Sequence, residues 1–333
     1  MISPLRTPSM RHARLSAVGA YRPRRVVSNA EICTRIDSTE EWIESRSGIR
    51  SRRFAAPDET LPAMAEAAAG AALTEAGVAP ERIGAVVLAS MSNLVQTPPL
   101  AATVAHRVGA VAAGAFDLSG ACAGFCHALA VAGDMVRAGS AEHVLVVAVE
   151  RMTDIVDPAD RSIAFLFADG AGAVMVGPSD RPGLGPVVRG AHGDMAAALR
   201  MTGSWADFRA DPSGLPPVMR MDGRRIFRWA VDEVAPAAQR ALDLAGVRPE
   251  NLAAFVPHQA NTRIIDLMVQ RLELPDSVAV ARDLVTAGNT SAASIPLALH
   301  GLRDAGAARS GEPALLVGFG AGLTYAAQVV LLP

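Results

Sequence analysis

The chain has 333 residues and a mass of 34.5 kDa; half of the residues are hydrophobic and 19% are charged. This length and composition can bury the cores of about two domains, or of one large domain, and exclude a disordered chain. The 31 basic and 33 acidic residues leave a net charge of −2, which argues against binding to nucleic acid or to an anionic membrane surface.

All basic residues are arginines, because the sequence contains no lysine. Arginine stays charged and cannot act as an amine nucleophile. The composition therefore excludes a lysine Schiff base, a pyridoxal phosphate enzyme and the lysine-containing P-loop. The three cysteines (Cys33, Cys122 and Cys126) are too few for a disulfide framework and favour a reduced, cytoplasmic protein. No uncharged apolar run is long enough to span a membrane.

An internal repeat indicates the architecture. The segment ALTEAGVAPERIGAVVLAS, from Ala72, resembles ALDLAGVRPENLAAFVPHQ, from Ala241, at an offset of 169 residues. Each copy predicts a helix that ends at a glycine, a Pro-Glu turn and a buried strand. The predicted strands are Ala85–Ala89 and Ala254–Pro257.

Two further pairs of segments follow in the same order. GACAGFCHALA around Cys122 aligns with NTSAASIPLAL around Ser291, and HVLVVAVE at His143–Glu150 aligns with PALLVGFG at Pro313–Gly320. Three aligned units predict two copies of one α/β fold, whose buried strands are covered by helices.

The repeat suggests where the two halves divide. We place the first half at residues 1–178 and the second at residues 179–333. The stretch Ser179–Gly223 is rich in Gly, Pro, Asp and Met and predicts loops and short elements. We also expect DGAGAVMVG, at Asp169–Gly177, to be a turn between two strands.

Cys122 is the first candidate for chemistry. It follows a short apolar strand and begins an alanine-rich helix, where the helix dipole and free N–H groups favour the nucleophilic thiolate. The small residues beside it permit close approach by a substrate. The alternative is a buried, inert cysteine, which is our interpretation of Cys126. Cys122 and Cys126 are not expected to bind a metal, because the sequence has no matching second cluster of ligands.

His258 and Asn289 are the next candidates. His258 directly follows the second-copy strand, at the carboxyl end where catalytic groups gather in open α/β sheets. The offset of 169 places Asn289 opposite residue 120, at the start of the helix that carries Cys122. Two related helices could therefore point their amino termini at one site. The alternatives are a packing histidine and an asparagine cap, and the capping role is compatible with function. GFGAGLTY, at Gly318–Tyr325, predicts strand–turn–strand with N–H groups suited to an oxyanion.

Cys122 in ACAGF, His258 in PHQAN and Asn289 in GNTSAAS resemble, in this order, the β-ketoacyl-acyl-carrier-protein synthase III family of the thiolase superfamily. The resemblance extends to EWIESRSGIRSRR at Glu41–Arg53, to DRSIAFLFADGAGAVMVG and to GFGAGLTY, so it covers essentially the whole chain. It implies a thiolase-like fold of two similar α/β halves and a homodimer. Elongating ketosynthases use a lysine, and this chain contains none. Thiolases use a second cysteine near the carboxyl terminus, and this chain has no cysteine after Cys126.

The resemblance also implies a reaction. An acyl-CoA starter acylates Cys122, and the acyl group is then condensed with malonyl-acyl carrier protein, which releases CoA and CO₂. The backbones of Cys122 and Ala321 would form the oxyanion hole, His258 and Asn289 would bind the enolate oxygen, and Phe319 would gate decarboxylation. No protein-bound cofactor or metal is implied, because the substrates carry the CoA and phosphopantetheine.

Substrate-binding residues are implied in the same way. Four of them match CoA contacts: Trp42, Arg46, Arg161 and Asn261. Arg263 matches an arginine that receives the carrier protein. The acyl pocket is assigned to Thr97, Pro98, Phe165 and Phe167.

The resemblance is strongest to priming ketosynthases of bacterial aromatic polyketide pathways. The stretch with Thr97 and Pro98 matches the region where a dimer partner closes the acyl pocket. Some synthases have an aromatic ring in this stretch, which limits the starter to acetyl. Threonine and proline are smaller and imply room for a starter of about three to six carbons. Whether the pathway makes fatty acids or polyketides stays open. The alternatives are an acyltransferase that uses the same cysteine without decarboxylation and an inactive scaffold.

Overall fold

The computed structural model describes residues 11–333. The strands are β1 (His12–Tyr21), β2 (Arg25–Ser28), β3 (Ser51–Phe54), β4 (Ile83–Ala89), β5 (Gly114–Leu118), β6 (His143–Arg151), β7 (Asp169–Ser179), β8 (Leu184–Ala191), β9 (Leu199–Met201), β10 (Met219–Met221), β11 (Ala254–Pro257), β12 (Ala279–Val280), β13 (Pro313–Gly320) and β14 (Thr324–Leu331). The helices are α1 (Asn29–Cys33), α2 (Glu40–Ser47), α3 (Leu61–Ala76), α4 (Leu100–Arg107), α5 (Gly124–Arg137), α6 (Trp205–Ala210), α7 (Gly223–Trp229), α8 (Ala235–Ala245), α9 (Thr262–Arg271), α10 (Leu284–Ala287) and α11 (Ser294–Asp304).

The predicted duplication is present in the two five-stranded sheets. The first sheet has the order β1-β7-β6-β4-β5, and the second has the order β8-β14-β13-β11-β12 when it is read in the same direction. The strand directions also correspond, because β4 is parallel to β5 and β6, as β11 is to β12 and β13. Strands β1 and β8 are antiparallel to β7 and β14. The two-copy α/β prediction is therefore confirmed.

Five layers result from stacking the two halves. Helices α5 and α11 lie between the sheets, where Phe125 and Ile295 share one apolar core with residues of both sheets. Helices α3 and α4 cover the outer face of the first sheet, and α8 and α9 cover that of the second. Helices α3 and α8 end at Gly77 and Gly246, which adopt the left-handed φ of 62° and 65° that glycine permits.

One prediction about the middle of the chain is wrong, and a second is incomplete. The segment DGAGAVMVG is not a turn but most of β7, which lies between β1 and β6 in the first sheet. Its glycines serve close packing, since a Cβ on Gly172 would lie 2.7 Å from the Pro296 side chain of α11. The stretch Ser179–Gly223 contains not only short elements but also the eight-residue β8, the outer strand of the second sheet.

No helix among residues 11–333 has the length and apolar character needed to cross a membrane.

Candidate active site

Cys122 lies in a tight elbow at the start of α5. It is the middle residue of a one-turn 3₁₀ segment, Ala121–Ala123, that leads directly into the helix. Ala121 has a φ of 45°, a left-handed conformation that is uncommon for a residue other than glycine. Cys122 is 3% exposed and lies against Gly320, the last residue of β13 in the second half.

The second half contains a matching elbow. The 3₁₀ segment Ser291–Ala293 leads into α11, and Ser291 has a φ of 49°. These bounds place Ser291 opposite Ala121, at an offset of 170 rather than 169. The predicted alignment at this unit is therefore wrong by one residue, because the spacing between the first and second units is one residue longer in the second half. The two helix starts still meet at one site, as expected.

Glycines allow the end of β13 to approach this elbow. A Cβ on Gly320 would lie 2.7 Å from the Cys122 Cβ and 2.9 Å from the Cys122 backbone nitrogen. A Cβ on Gly318 would lie 3.0 Å from the Cys126 Sγ. The strand–turn–strand prediction for GFGAGLTY is confirmed by β13 and β14, which pair as a hairpin. Ala321 follows Gly320 and is not among the residues with positive φ.

The helix start favours the thiolate form of Cys122, and burial acts against it. Burial raises the pKa of the Cys122 thiol to about 12, and the negative charge of Glu150 acts in the same direction. A hydrogen bond from the Ser291 hydroxyl, whose oxygen lies 3.4 Å from Sγ, lowers the pKa without offsetting burial. Burial therefore favours the protonated thiol, whose proton must leave during attack. Burial raises the pKa of Cys126 to about 12 as well.

His258 is a buried neutral imidazole. Burial lowers its pKa to about 3, so the ring stays uncharged at neutral pH. Nδ1 lies 2.8 Å from the hydroxyl oxygen of Ser294, and that oxygen accepts the Gln259 backbone N–H at 3.3 Å. A hydroxyl that accepts from Gln259 is free to donate to Nδ1, which leaves the proton of the ring on Nε2. His258 can thus donate a hydrogen bond without carrying a charge.

Asn289 is fixed by its own backbone and by its side-chain oxygen. Its backbone N–H donates to the Leu166 carbonyl, and its carbonyl accepts the Ala168 N–H, each at 2.9 Å. Its Oδ1 accepts the backbone N–H of Ser291 at 2.9 Å. The amide nitrogen is consequently the group left to donate. Asn289 and Cys122 both contact Ser291, which brings the two predicted residues to one point.

Phe319 joins the histidine to the glycine turn. Its ring packs edge-on against His258, with centroids 5.2 Å apart, and it is 1% exposed. Its neighbours on both sides, Gly318 and Gly320, contact the cysteine elbow. The structure thus brings Cys122, His258, Asn289, Phe319 and Ala321 together around one buried site.

The predicted CoA residues cluster at a separate place on the surface. The guanidinium carbons of Arg46 and Arg161 lie 5.8 Å and 5.2 Å from the ring centroid of Trp42. The half-buried Trp42 ring also packs edge-on against Phe165 at 5.2 Å. Two cations on an aromatic ring form a surface suited to a phosphorylated adenine nucleotide.

The start of α9 lies beside this cluster. The Thr262 hydroxyl donates to the carbonyl of Ser47, at the end of the helix that carries Trp42 and Arg46. The Asn261 side chain caps α9 by accepting the Ile264 N–H at 2.9 Å, which leaves its amide nitrogen for a ligand. Arg263 is exposed and lies 5.5 Å from the Phe227 ring centroid.

The four predicted acyl-pocket residues do not form one pocket within this chain. Phe165 and Phe167 are buried, and Phe167 pairs with Asn289 in a parallel β-bridge. Thr97 and Pro98 are exposed, and Pro98 lines a surface cavity of about 360 Å³ with Leu94 and Val95.

Comparison with known proteins decides the family. Two family profiles match: 3-oxoacyl-[acyl-carrier-protein] synthase III at residues 116–193 and its C-terminal region at residues 242–332. A β-ketoacyl-[acyl-carrier-protein] synthase III of Streptomyces lividans is 59% identical over 99% of this chain and 97% of its own length. The Mycobacterium bovis enzyme is 49% identical over 98% of each.

The chain belongs to the β-ketoacyl-acyl-carrier-protein synthase III family. Its members are condensing acyltransferases that join an acyl-CoA to malonyl-acyl carrier protein with loss of CO₂. This membership favours condensation over the simple acyltransferase and the inactive scaffold. Solved structures agree: the priming β-ketosynthase of the R1128 polyketide pathway superposes with a TM-score of 0.98 at 58% identity, covering 99% of both chains. The Pseudomonas aeruginosa synthase III gives 0.91 at 39% identity, covering 97% of this chain and 99% of the other.

Four residues around the site were missed from the sequence. Ser291 contacts the nucleophile, Ser294 holds the histidine, Glu150 lies behind the elbow and Gly320 gives room for Cys122. A signal existed for Glu150, since it is the only charged residue at the end of the apolar run HVLVVAVE. The serines lie inside a motif that was quoted, but only packing shows which atoms they contact.

Proposed function

We propose that Cys122 is the acylated nucleophile and that His258 and Asn289 stabilise the enolate of the decarboxylated extender. The observation that carries this proposal is the convergence of the three side chains through Ser291, Ser294 and Phe319 at one buried site. A water-poor site suits a carbanion, because water would protonate it before condensation.

Acylation begins with attack of the Cys122 sulfur on the thioester carbonyl of the starter. The resulting oxyanion needs donors placed where its charge develops, and each such donor typically contributes about 3–4 kcal/mol. The backbone N–H groups of Cys122 and Ala321 are the proposed pair. The contact between Gly320 and the Cys122 backbone supports this pairing, because it places Ala321 beside the nucleophile. The CoA thiolate then leaves.

Condensation follows on the acyl-enzyme. Loss of CO₂ from malonyl-acyl carrier protein leaves an enolate, whose oxygen would accept hydrogen bonds from His258 Nε2 and Asn289 Nδ2. A neutral imidazole is suited to this task, since it donates a hydrogen bond without protonating the carbanion. Phe319 covers the histidine and would limit the access of water. The carbanion attacks the acyl carbonyl and yields 3-ketoacyl-carrier protein and free Cys122.

Substrate delivery is assigned to the surface cluster. Trp42, Arg46 and Arg161 would hold the nucleotide of CoA, and Asn261 would contact its pantetheine arm. Arg263, exposed at the start of α9, would receive an acidic carrier protein. We propose that no bound cofactor is needed, because both thioesters bring their own carriers, and that a reducing cytoplasm keeps the thiol free.

We further propose that the enzyme is a homodimer. Strand β5 is the outer strand of the first sheet, and exposed apolar side chains lie on it and near it: Leu94, Val95, Val111 and Phe116. A second copy that paired along this edge would cover them. It would also bring Thr97 and Pro98 of one protomer towards Phe165 and Phe167 of the other, which would explain why these four residues do not meet in one chain.

The starter acyl group is proposed from that same closure. Threonine and proline leave more room than an aromatic ring, so a chain of about three to six carbons would fit. We propose that the enzyme primes a polyketide, which the likeness to the R1128 priming ketosynthase supports.

The decisive experiment separates acylation from condensation. Intact mass measured after incubation with butyryl-CoA should increase by one butyryl group in the wild type and not in Cys122→Ala. Addition of malonyl-acyl carrier protein should then release CO₂ and form a 3-ketoacyl product. His258→Ala is expected to keep acylation and lose condensation. Equal loss of both steps would contradict the assigned roles, and a strict preference for acetyl-CoA would contradict the proposed starter.

A further inference from the structure

A buried arginine lies against the chain segment that bonds to Asn289. Arg52, in β3, is 0% exposed. Its Nη2 donates to the Asn29 Oδ1 at 2.7 Å and to the Phe165 carbonyl at 2.9 Å, and its Nη1 donates to the Val27 carbonyl at 3.4 Å. These acceptors are one amide oxygen and two backbone carbonyls, so within the described part of the chain the guanidinium is buried without a carboxylate partner.

Packing alone does not account for an arginine at position 52. Burial lowers the pKa of Arg52 to about 10, which still leaves the guanidinium charged at neutral pH. Its buried Nε has no hydrogen-bond partner among residues 11–333. A charge taken out of water destabilises the fold unless its partners compensate for the lost hydration. A methionine would fill a similar volume without that cost, so the three hydrogen bonds are what the arginine adds.

The segment that Arg52 holds, residues 165–168, contacts both the nucleotide surface and the enolate donor. The Phe165 ring packs edge-on against Trp42, the aromatic ring of the nucleotide surface, with centroids 5.2 Å apart. The residues that follow exchange two backbone hydrogen bonds of 2.9 Å with Asn289. Because the bond from Arg52 reaches the Phe165 carbonyl, it fixes the backbone between these two contacts.

The backbone of β3 also contacts the residues that precede Asn289. The Arg50 N–H donates to the Val285 carbonyl at 2.8 Å. A Cβ on Gly288 would lie 2.8 Å from the Arg52 Cβ, and the left-handed φ of 73° at this residue favours glycine. One chain segment therefore makes two contacts around Asn289: its backbone contacts the preceding residues, and the Arg52 guanidinium holds the segment that bonds to Asn289.

We propose that Arg52 is a positioning residue that holds the nucleotide surface and the Asn289 amide in one arrangement through its bond to the Phe165 carbonyl. The inference rests on the proposed function, which assigns CoA binding to that surface and enolate binding to Asn289. The three acceptors of Arg52 lie outside the elbow that carries Cys122. Loss of the guanidinium should therefore weaken CoA binding and slow condensation, whereas attack by Cys122 on a bound thioester should persist.

The test measures three constants per active site in Arg52→Met. Active sites are counted as the fraction of protein that butyryl-CoA acylates, measured by intact mass. The butyryl-CoA concentration that gives half of the maximal acylation rate should rise by about three- to tenfold. The rate of CO₂ release from malonyl-acyl carrier protein by the pre-acylated enzyme should fall by about tenfold. The maximal acylation rate should stay within about twofold of the wild type.

A purely structural role for Arg52 predicts a different result. Loss of stability alone would reduce the number of active sites and leave the three constants of the remaining sites unchanged. That result would overturn the proposal. A change in only one of the two affected constants would overturn it as well, since Arg52 would then not serve both places.

The matched control makes the same substitution at the next residue. Arg53 is half-buried, and its Nη1 donates to the Pro23 carbonyl at 2.9 Å. Arg53→Met should keep all three wild-type constants. An equal effect of this variant would show that the result is not specific to the Arg52 guanidinium and would overturn the proposal.

A second variant carries the test if Arg52→Met does not fold. Asn29→Ala removes the acceptor that orients the Arg52 guanidinium and should shift the same two constants by about two- to threefold. Wild-type constants in Asn29→Ala would then overturn the proposal. A wild-type protein that is not acylated, or that is acylated and releases no CO₂, would instead overturn the proposed function.

Discussion

Nδ1 of His258 and the hydroxyl oxygen of Ser294 lie 2.8 Å apart, and both side chains are buried. Ser294 is the first residue of α11, so the helix that follows the second elbow sets the orientation of the histidine delivered by β11. The tautomer with a proton on Nε2 follows from this contact, because the oxygen of the hydroxyl already accepts the Gln259 N–H.

Replacement of Ser294 by alanine should impair condensation while acylation persists. Loss of one hydrogen bond of about 1–1.5 kcal/mol corresponds to a decrease of about tenfold in the condensation rate. Single-turnover CO₂ release from the pre-acylated enzyme measures this step. Ser16→Ala, which removes a half-buried hydroxyl on β1 bonded to the Met175 carbonyl, is the matched control and should be unaffected. An unchanged condensation rate in Ser294→Ala would remove the orienting role.

The buried neutral His258 should make the free energy of unfolding decrease as the pH falls. Its pKa is about 3 in the folded protein and near 6.5 when exposed, so the unfolded chain takes up the proton first as the pH falls. Its contribution is fully present above pH 6.5 and declines towards pH 3. Between pH 7.5 and pH 5 the loss should be about 2 kcal/mol. Burial also lowers the pKa values of His127 and His143, so these residues also reduce the stability in acid. The contribution of His258 must therefore be measured as a difference between two proteins.

The measurement compares the wild type with His258→Gln by chemical denaturation at both pH values. The stability of the wild type should fall by about 2 kcal/mol more than that of the variant. A constant difference between the two proteins would show that His258 titrates normally in the folded state.

Gly320→Ala should disrupt acylation. The new Cβ would lie 2.7 Å from the Cys122 Cβ, so either the elbow or the β13 turn must move. Displacement of the Ala321 N–H from the developing oxyanion should slow acylation by about 100-fold or more. The control is Gly70→Ala, on an open face of α3, which should acylate normally and gain about 0.5–1 kcal/mol of stability. Normal acylation by Gly320→Ala would contradict the proposed oxyanion hole.

Trp42→Ala should weaken CoA binding and leave the chemistry intact. The ring holds Arg46 and Arg161 in place but lies on the surface, outside the buried catalytic site. Loss of about 1 kcal/mol of ring contacts would raise the KM for acyl-CoA by three- to tenfold, with kcat unchanged. Steady-state kinetics with varied butyryl-CoA measure both constants. Trp205→Ala, an exposed tryptophan without a flanking arginine contact, should behave like the wild type; a fall in kcat alone for Trp42→Ala would argue against nucleotide binding.

The sequence was sufficient to predict the duplicated sheets, because apolar runs and helix-ending glycines repeat in order. It did not predict the one-residue difference in spacing that places Ser291 opposite Ala121, since an offset read from one unit was carried to the next. The expectation that a thiolate is favoured at Cys122 followed from its position at a helix start, and the sequence did not show the burial that raises the pKa of the thiol. The glycines in β7 were interpreted as a turn. Their reason is the close packing of α11 against β7, which the sequence of β7 alone does not show. The assigned catalytic and CoA-binding roles stay predictions.

Phe116→Asp tests the homodimer and the acyl pocket together. Phe116 is 38% exposed on β5, and a charge at a paired edge would separate two protomers. Size-exclusion chromatography with light scattering should show a dimer for the wild type and a monomer for the variant. The monomer should also lose its preference among acyl-CoA chain lengths, because Thr97 and Pro98 of the partner would no longer close the pocket.

Leu244→Asp, on the exposed face of α8, should remain a dimer with wild-type preference. If Phe116→Asp stays dimeric, β5 is not the interface; if it is monomeric with its preference intact, the acyl pocket is complete within one chain.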